Sequence, residues 1–169
     1  ATIVLEYDFA TGAQRVRTDA PAIPYAAAGV ASSLDGTRLL LGAGCVYRAD
    51  TDTFGPCSSM WTGNNYGGSR FVGSGTGAFW ANGSRTYDGS LRLLRERGAW
   101  ALSADDRHAY VGEFQRIIRQ RAADGATEDA LQSFLRGDTR ATPDGRMLVS
   151  LEMAGATNNQ YHLRVTDLP

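Results

Sequence analysis

The chain of 169 residues carries 17 basic and 18 acidic side chains, a formal net charge of −1, and 43% hydrophobic residues. That length suits one domain with a sizeable core, and the near-neutral balance excludes a domain that grips nucleic acid mainly through its phosphates. No apolar run approaches the roughly 18 residues of a membrane-spanning helix, and the given residues hold no charged-then-apolar targeting segment. Every basic residue is arginine, a composition expected of a GC-rich bacterial genome. A sequence that begins at Ala1 is expected to be a processed chain or part of a longer one.

Taken in order, residues 2–16 read as a hairpin: Ile3 to Tyr7, a turn through Asp8, Thr11 and Gly12, then Ala13 to Val16. The Asp, Thr and Gly supply side-chain bonds to the backbone and a positive φ. Thr18 to Gly29, with Pro21 and Pro24, is a loop. The next unit, Val30 to Met60, is the clearest in the chain. A strand leads to an Asp35-Gly36 turn, then come Leu39-Leu40-Leu41, a small-residue break at Gly42 to Gly44, the strand Cys45 to Tyr47, a polar turn Asp50 to Thr53, and a fourth strand. Each apolar run is too short for a helix and is bounded by turn residues, so each is read as a strand.

Weaker copies follow. After the loop Trp61 to Gly68, strands are expected at Ser69 to Val72, Ala78 to Trp80, Ser84 to Tyr87 and Leu91 to Leu94. In the third unit they fall at Ala99 to Ser103, His108 to Val111 and Phe114 to Arg119, with a tail Thr127 to Leu135 that is strand or short helix. In the fourth they fall at Thr139 to Thr142, Met147 to Leu151 and Tyr161 to Val165. The second strands start at Leu39, Ala78, Ala109 and Met147, intervals of roughly 30 to 40 residues, as in propeller blades of four short strands. Ser33-Leu34-Asp35-Gly36, Ser103-Ala104-Asp105-Asp106 and Thr142-Pro143-Asp144-Gly145 occupy one place in three units; the second unit departs from them at Gly75-Thr76-Gly77.

This cadence of Ser/Thr-x-Asp-Gly, apolar strand, glycine, strand and polar turn resembles the WD40-like and YVTN-type β-propellers of bacteria. The resemblance covers nearly the whole chain and implies an all-β fold of four-stranded antiparallel blades, about four of them or part of a larger ring. The units fall at 30–60, 69–97, 98–135 and 136–169 within a single domain, and the hairpin at 1–18 is expected to complete a blade, that of the last unit if the ring closes. The resemblance specifies a blade and not a task, since such families include binding scaffolds, lactone hydrolases, quinone-dependent dehydrogenases and peptidase gates.

Few constellations survive as sites. Asp50 to Gly55 imitates the start of a calcium loop, but Phe54 sits at a ligand position and Trp61 at the closing one, so a hairpin turn explains it better. Gly73 to Gly77 lacks the Lys-Ser/Thr of a phosphate loop and reads as a flexible turn. His108 and His162 fall at opposite ends of their blades and leave no zinc tetrad, and no G-x-S-x-G elbow is present. No catalytic residue, metal or cofactor is therefore assigned. Trp80 and Trp100 read as core. Asn82-Gly83-Ser84 matches a glycosylation acceptor but serves equally as a turn. The arginines at 92, 95, 97, 116, 119 and 121 read as solvated strand edges.

Cys45 and Cys57 flank the Asp50 to Thr53 turn nearly symmetrically, which suits a disulfide across a hairpin in a secreted or periplasmic protein; two reduced core cysteines are the alternative. In an up-and-down blade the short Asp-Gly and Asp-x-Asp-Thr turns share one end. The longer loops share the other, where binding groups on a rigid scaffold usually sit. Trp61, Asn64, Asn65 and Tyr66 in one loop, with Asn158, Asn159 and Gln160 in another, combine an aromatic face with amides that both donate and accept, a set suited to carbohydrate hydroxyls or peptide backbone. The expected function is a non-enzymatic scaffold for protein or glycan ligands. The alternative is one portion of a larger propeller enzyme, of hydrolase or quinone-dependent dehydrogenase type, with a second chain or copy supplying further blades.

Overall fold

In the computed structural model the described residues are 3–23, 30–42, 44–58, 71–113, 116–132, 139–142, 146–153 and 161–167. All regular structure among them is strand. A hairpin of β1 (Leu5–Tyr7) and β2 (Gln14–Val16) comes first. Blade 1 is β3 (Val30–Ser32), β4 (Arg38–Leu41), β5 (Cys45–Arg48) and β6 (Thr53–Cys57). Blade 2 is β7 (Val72–Gly73), β8 (Phe79–Ala81), β9 (Thr86–Asp88) and β10 (Leu93–Arg95). Blade 3 is β11 (Ala101–Leu102), β12 (His108–Glu113), β13 (Arg116–Arg121) and β14 (Thr127–Gln132). The last sheet holds β15 (Thr139–Ala141), β16 (Met147–Met153) and β17 (Tyr161–Asp167). Each sheet is an antiparallel meander in chain order. The 127–135 tail, open between strand and helix in the sequence, is strand through Gln132.

Successive sheets pack face to face, and strand alternation decides which residues meet. Leu40 and Val46 are paired in register and point forward onto Trp80, Tyr87 and Leu91 of blade 2. The opposite parity of blade 2, with Ala81 buried and Phe79 and Val72 beside it, meets Leu102, Ala109 and Val111 of blade 3. Blade 3 then turns Ala101, Tyr110 and Ile117 onto Leu148 of the last sheet. Blades 2 and 3 thus each have a rear and a forward apolar face, and the core is a series of layers between blades. The innermost strands β3, β7, β11 and β15 touch in succession, as strands around a propeller axis do.

One local device recurs in all four units. The first residue of each turn, Ser33, Ser74, Ser103 or Thr142, exchanges two hydrogen bonds with the residue five positions on. Its N–H donates to that residue's carbonyl at 2.9, 3.0, 3.0 and 2.9 Å. Its hydroxyl accepts from that residue's N–H, from Arg38, Phe79, His108 and Met147 at 3.0, 3.0, 2.8 and 3.1 Å. A short β-hydroxyl is what reaches its own turn in this way. The second unit is no exception in backbone form: Gly77 has φ 73° and Gly36 has φ 74°. Its turn is also tight, contrary to the flexible one expected. Leu34 and Asp35 N–H donate to the Ser74 and Gly75 carbonyls, and Gly75 N–H donates to Ser103. A Cβ on Gly75 would lie 1.7 Å from the Ala104 carbonyl oxygen, so only glycine lets the turns of three blades interlock.

The N-terminal hairpin forms a two-stranded sheet of its own and does not extend the β15–β17 sheet. It is fastened to blade 1. Arg17, with its side chain only 6% exposed, pairs with Asp52 at 2.5 Å, Asp19 at 2.7 Å and Glu6 at 3.1 Å. Its guanidinium lies 5.4 Å from the ring centre of Tyr47 and 4.9 Å from that of Phe54.

Candidate functional site

At the turn end Asp35, Asp88, Asp105 and Asp124 serve their own turns. Asp35 Oδ1 accepts from the Ser33 hydroxyl at 2.7 Å and from Thr37 N–H and hydroxyl at 2.9 Å. Asp88 accepts from Ser90 and Arg92 N–H, Asp105 from Ser103 and Arg107, and Asp124 from Ala126. Burial pushes Asp35 and Asp105 up, but these hydrogen bonds outweigh it and hold both below the ordinary carboxylate range. Thr76 stands where the other turns have aspartate, and the missing carboxylate comes from the next blade: Asp106 accepts from Thr76 N–H at 3.0 Å and from its hydroxyl at 2.7 Å.

Asp52, at the tip of the would-be calcium loop, is spent in the same way. The Tyr47 hydroxyl donates to it at 2.7 Å, and Arg15 and Arg17 pair with it; in that order they hold its pKa down to about 2. The hairpin turn is the structure these residues form. Among the described residues no group of three or more His, Cys, Asp or Glu is placed to hold a metal ion.

Among the described residues the connections 82–85 and 96–100 lie at the opposite end. Trp61, Asn64, Asn65, Tyr66, Asn158, Asn159 and Gln160 all lie outside the described residues. The described rim is polar and of mixed sign. Arg85 pairs with Glu96 at 3.1 Å, and Glu113 is shared by Arg116 at 2.8 Å and by Arg97. Arg116 first, then Arg97, holds Glu113 below its usual range. The half-buried Trp100 packs over Gly112, where a Cβ would fall 2.0 Å from the indole. Trp80, by contrast, is wholly buried between blades, as its place in a second strand implies.

Other sequence candidates resolve in structural terms. Cys45 and Cys57 are opposite one another in β5 and β6, 4.1 Å apart at Cα, and form a disulfide. Asn82 is buried, and its side-chain oxygen accepts from Ser84 N–H, Ser84 hydroxyl and Arg85 N–H, so it builds the 82–85 turn and is no exposed acceptor. His108 lies at the turn end, 3.2 Å from Glu128 and 3.6 Å from Asp105, whereas His162 is exposed on β17. Of the arginine runs, Arg92, Arg97, Arg116 and Arg121 make surface ion pairs as solvated edges do. Arg95 departs from that expectation. It reaches into blade 3 to donate to the Ala122 carbonyl at 2.8 Å, and burial lowers its pKa.

No protein-family model matches the sequence, and no curated protein matches it. Solved structures do. Hydrazine synthase of Kuenenia stuttgartiensis aligns over 87% of this chain and 47% of its own, at 14% identity and a TM-score of 0.56. TolB of Acinetobacter baumannii aligns over 95% of this chain and 45% of its own, at 18% identity and a TM-score of 0.51. At such identities the likeness is one of fold, and the chain spans just under half the length of either. With its four-stranded antiparallel sheets packed face to face about their innermost strands, the chain has the fold of β-propeller blades.

Proposed function

We propose that the chain is a binding scaffold for protein or glycan ligands, with its site on the end opposite the short turns. The observation that carries this reading is that the turn-end carboxylates of Asp35, Asp52, Asp88, Asp105, Asp106 and Asp124 are committed to their own turns or to neighbouring elements. A ligand there would have to break bonds that hold the blades. The long loops at the other end carry Trp61, Asn64, Asn65, Tyr66, Asn158, Asn159 and Gln160, whose amides and rings suit sugar hydroxyls or a peptide backbone. A disulfide favours an oxidising compartment, in keeping with a secreted or periplasmic protein.

The test is a screen against immobilised glycans and unstructured peptides, followed by Trp61→Ala, Asn65→Ala and Asn159→Ala, with Asp35→Ala and Asp52→Ala as the matched set. Loss of binding confined to the loop set supports the assignment. Loss confined to the turn set, in folded variants, means that the wrong face was chosen.

A second reading, one portion of a larger propeller enzyme completed by other blades, is favoured by the coverage of only 47% and 45% of the neighbouring chains, one of them an enzyme by name. A folded, strictly monomeric 169-residue species in solution would count against it.

A further inference from the structure

The outer strand of blade 1 is fastened in two halves by different means. Thr53 and Phe54 pair with Arg48 and Tyr47, and pairing resumes at Cys57, opposite Cys45. Gly55 and Pro56 therefore stand across from Val46 as a bulge, with Gly55 at φ 124°. The near half is held by its turn and by rings: Tyr47 and Phe54 lie 5.1 Å apart at their centres, and Arg17 sits 4.9 Å from the Phe54 ring. The far half has less backbone to hold it. Pro56 has no N–H to give to a ladder. The Cα atoms of Cys45 and Cys57 are 4.1 Å apart, the close spacing of an antiparallel pair that exchanges no backbone hydrogen bonds. Beyond them the Ser58 N–H donates to the Gly44 carbonyl at 2.7 Å. β6 is the outermost strand of its sheet, so no further strand of the blade backs it.

We infer that the Cys45–Cys57 disulfide is a reducible clasp, whose cleavage frees residues 55–58 from blade 1 while the rest of the blade stays folded. Access to it is asymmetric: Cys45 is wholly buried and Cys57 is exposed at the sheet edge. A dithiol reductant therefore attacks at Cys57. Its thiolate bonds to the Cys57 sulfur, the bond between the two cysteine sulfurs breaks, and Cys45 leaves as a thiolate that takes up a proton. The second thiol of the reductant then displaces Cys57, which is protonated in turn. Two electrons have passed to the cysteine pair, and the reductant departs as a disulfide. Reduced Cys45 stays in the sheet through its pairing with Leu41 and behaves there as a small buried hydrophobe. The loss is confined to the far half, because the near half keeps its rings and Arg17. Redox state thus decides whether the chain is anchored where it leaves blade 1.

The experiment is amide hydrogen exchange, read by NMR, on the 169-residue chain before and after dithiothreitol, below the melting temperature of the reduced form. On reduction the Ser58 N–H should lose protection by roughly tenfold or more, as a locally released strand end does. The Ala49 N–H, which donates to the Thr37 carbonyl at 2.8 Å in the same blade, should keep its protection. Cys45→Ala/Cys57→Ala should reproduce the Ser58 result without reductant, and reoxidation of the parent should restore protection. In the folded, reduced chain iodoacetamide should label Cys57 roughly tenfold or more faster than Cys45. Ser58 protection that reduction leaves unchanged overturns the inference. So does loss at Ser58 and Ala49 together, which would make the disulfide a support of the entire blade, or labelling of the two thiols at equal rates. Ligand binding has no part in these readouts, so the loop-face reading stands or falls separately.

Discussion

Arg17 and Asp52 meet at 2.5 Å although 35 residues separate them, and this pair ties the N-terminal hairpin to blade 1. Arg17 is the enclosed partner, ringed by three carboxylates and two aromatic faces; Asp52 is the more exposed one, at the tip of the outer turn. Asp52 holds a positive φ of 53°, a conformation that aspartate tolerates better than most residues. The two blade elements are therefore joined by charge and stacking, where the other layers are joined by apolar packing.

The acid limb of stability follows from this join. A carboxylate whose folded pKa is depressed contributes stability above its unfolded value and loses it as pH falls through the folded one. For Asp52 that window runs from the ordinary value of 3.8 down to about 2. Melting temperature should fall over this range, and Asp52→Asn should melt lower at neutral pH with a shallower acid slope. An unchanged slope in Asp52→Asn would assign the acid transition to other carboxylates.

The disulfide closes a loop of sequence separation 12, for which the chain-entropy relation gives about 3 kcal/mol. Reduction should lower the melting temperature accordingly, and Cys45→Ala/Cys57→Ala should melt with the reduced protein. In denatured, unreduced protein neither thiol should react with an alkylating reagent; labelling of both would refute the bridge.

The recurring hydroxyl lock can be tested where its bond to the hydroxyl is shortest. Ser103→Ala leaves the His108 N–H without the acceptor it uses at 2.8 Å, which costs about 1–3 kcal/mol for a buried donor. Ser103→Thr should retain most of the stability, because the fourth unit uses threonine in this place. Equal losses in the two variants would mean that volume, and not the hydroxyl, matters there.

Two glycine substitutions separate packing from intrinsic propensity. Gly75→Ala drives a methyl into the Ala104 carbonyl and should cost about 3 kcal/mol or more, as overpacking against backbone does. Gly83→Ala meets nothing within 4 Å and should stay within about 0.5 kcal/mol of the parent. Denaturant midpoints of the two variants decide it, and near-equality would sink the interlocked-turn account.

What the sequence by itself determined was local. The meander of short strands, the Asp-Gly turns and the place of each blade were legible because a turn is built from residues within five positions of one another, and a strand shows its alternation directly. The disulfide was half legible: spacing put Cys45 and Cys57 on facing strands, and only the register of β5 and β6 set them opposite. Tertiary structure decided what reaches across blades. Nothing near Thr76 announces that Asp106, 30 residues on, supplies the carboxylate its turn lacks. Nor does the local sequence tell that Arg95 leaves the solvated edge for the Ala122 carbonyl. The parity of each sheet, which makes Leu148 a core residue and Leu163 an exposed one, is likewise set by the neighbour it packs on. A strand with apolar residues on both faces states that it has two partners. Which face meets which partner is decided when the blades assemble.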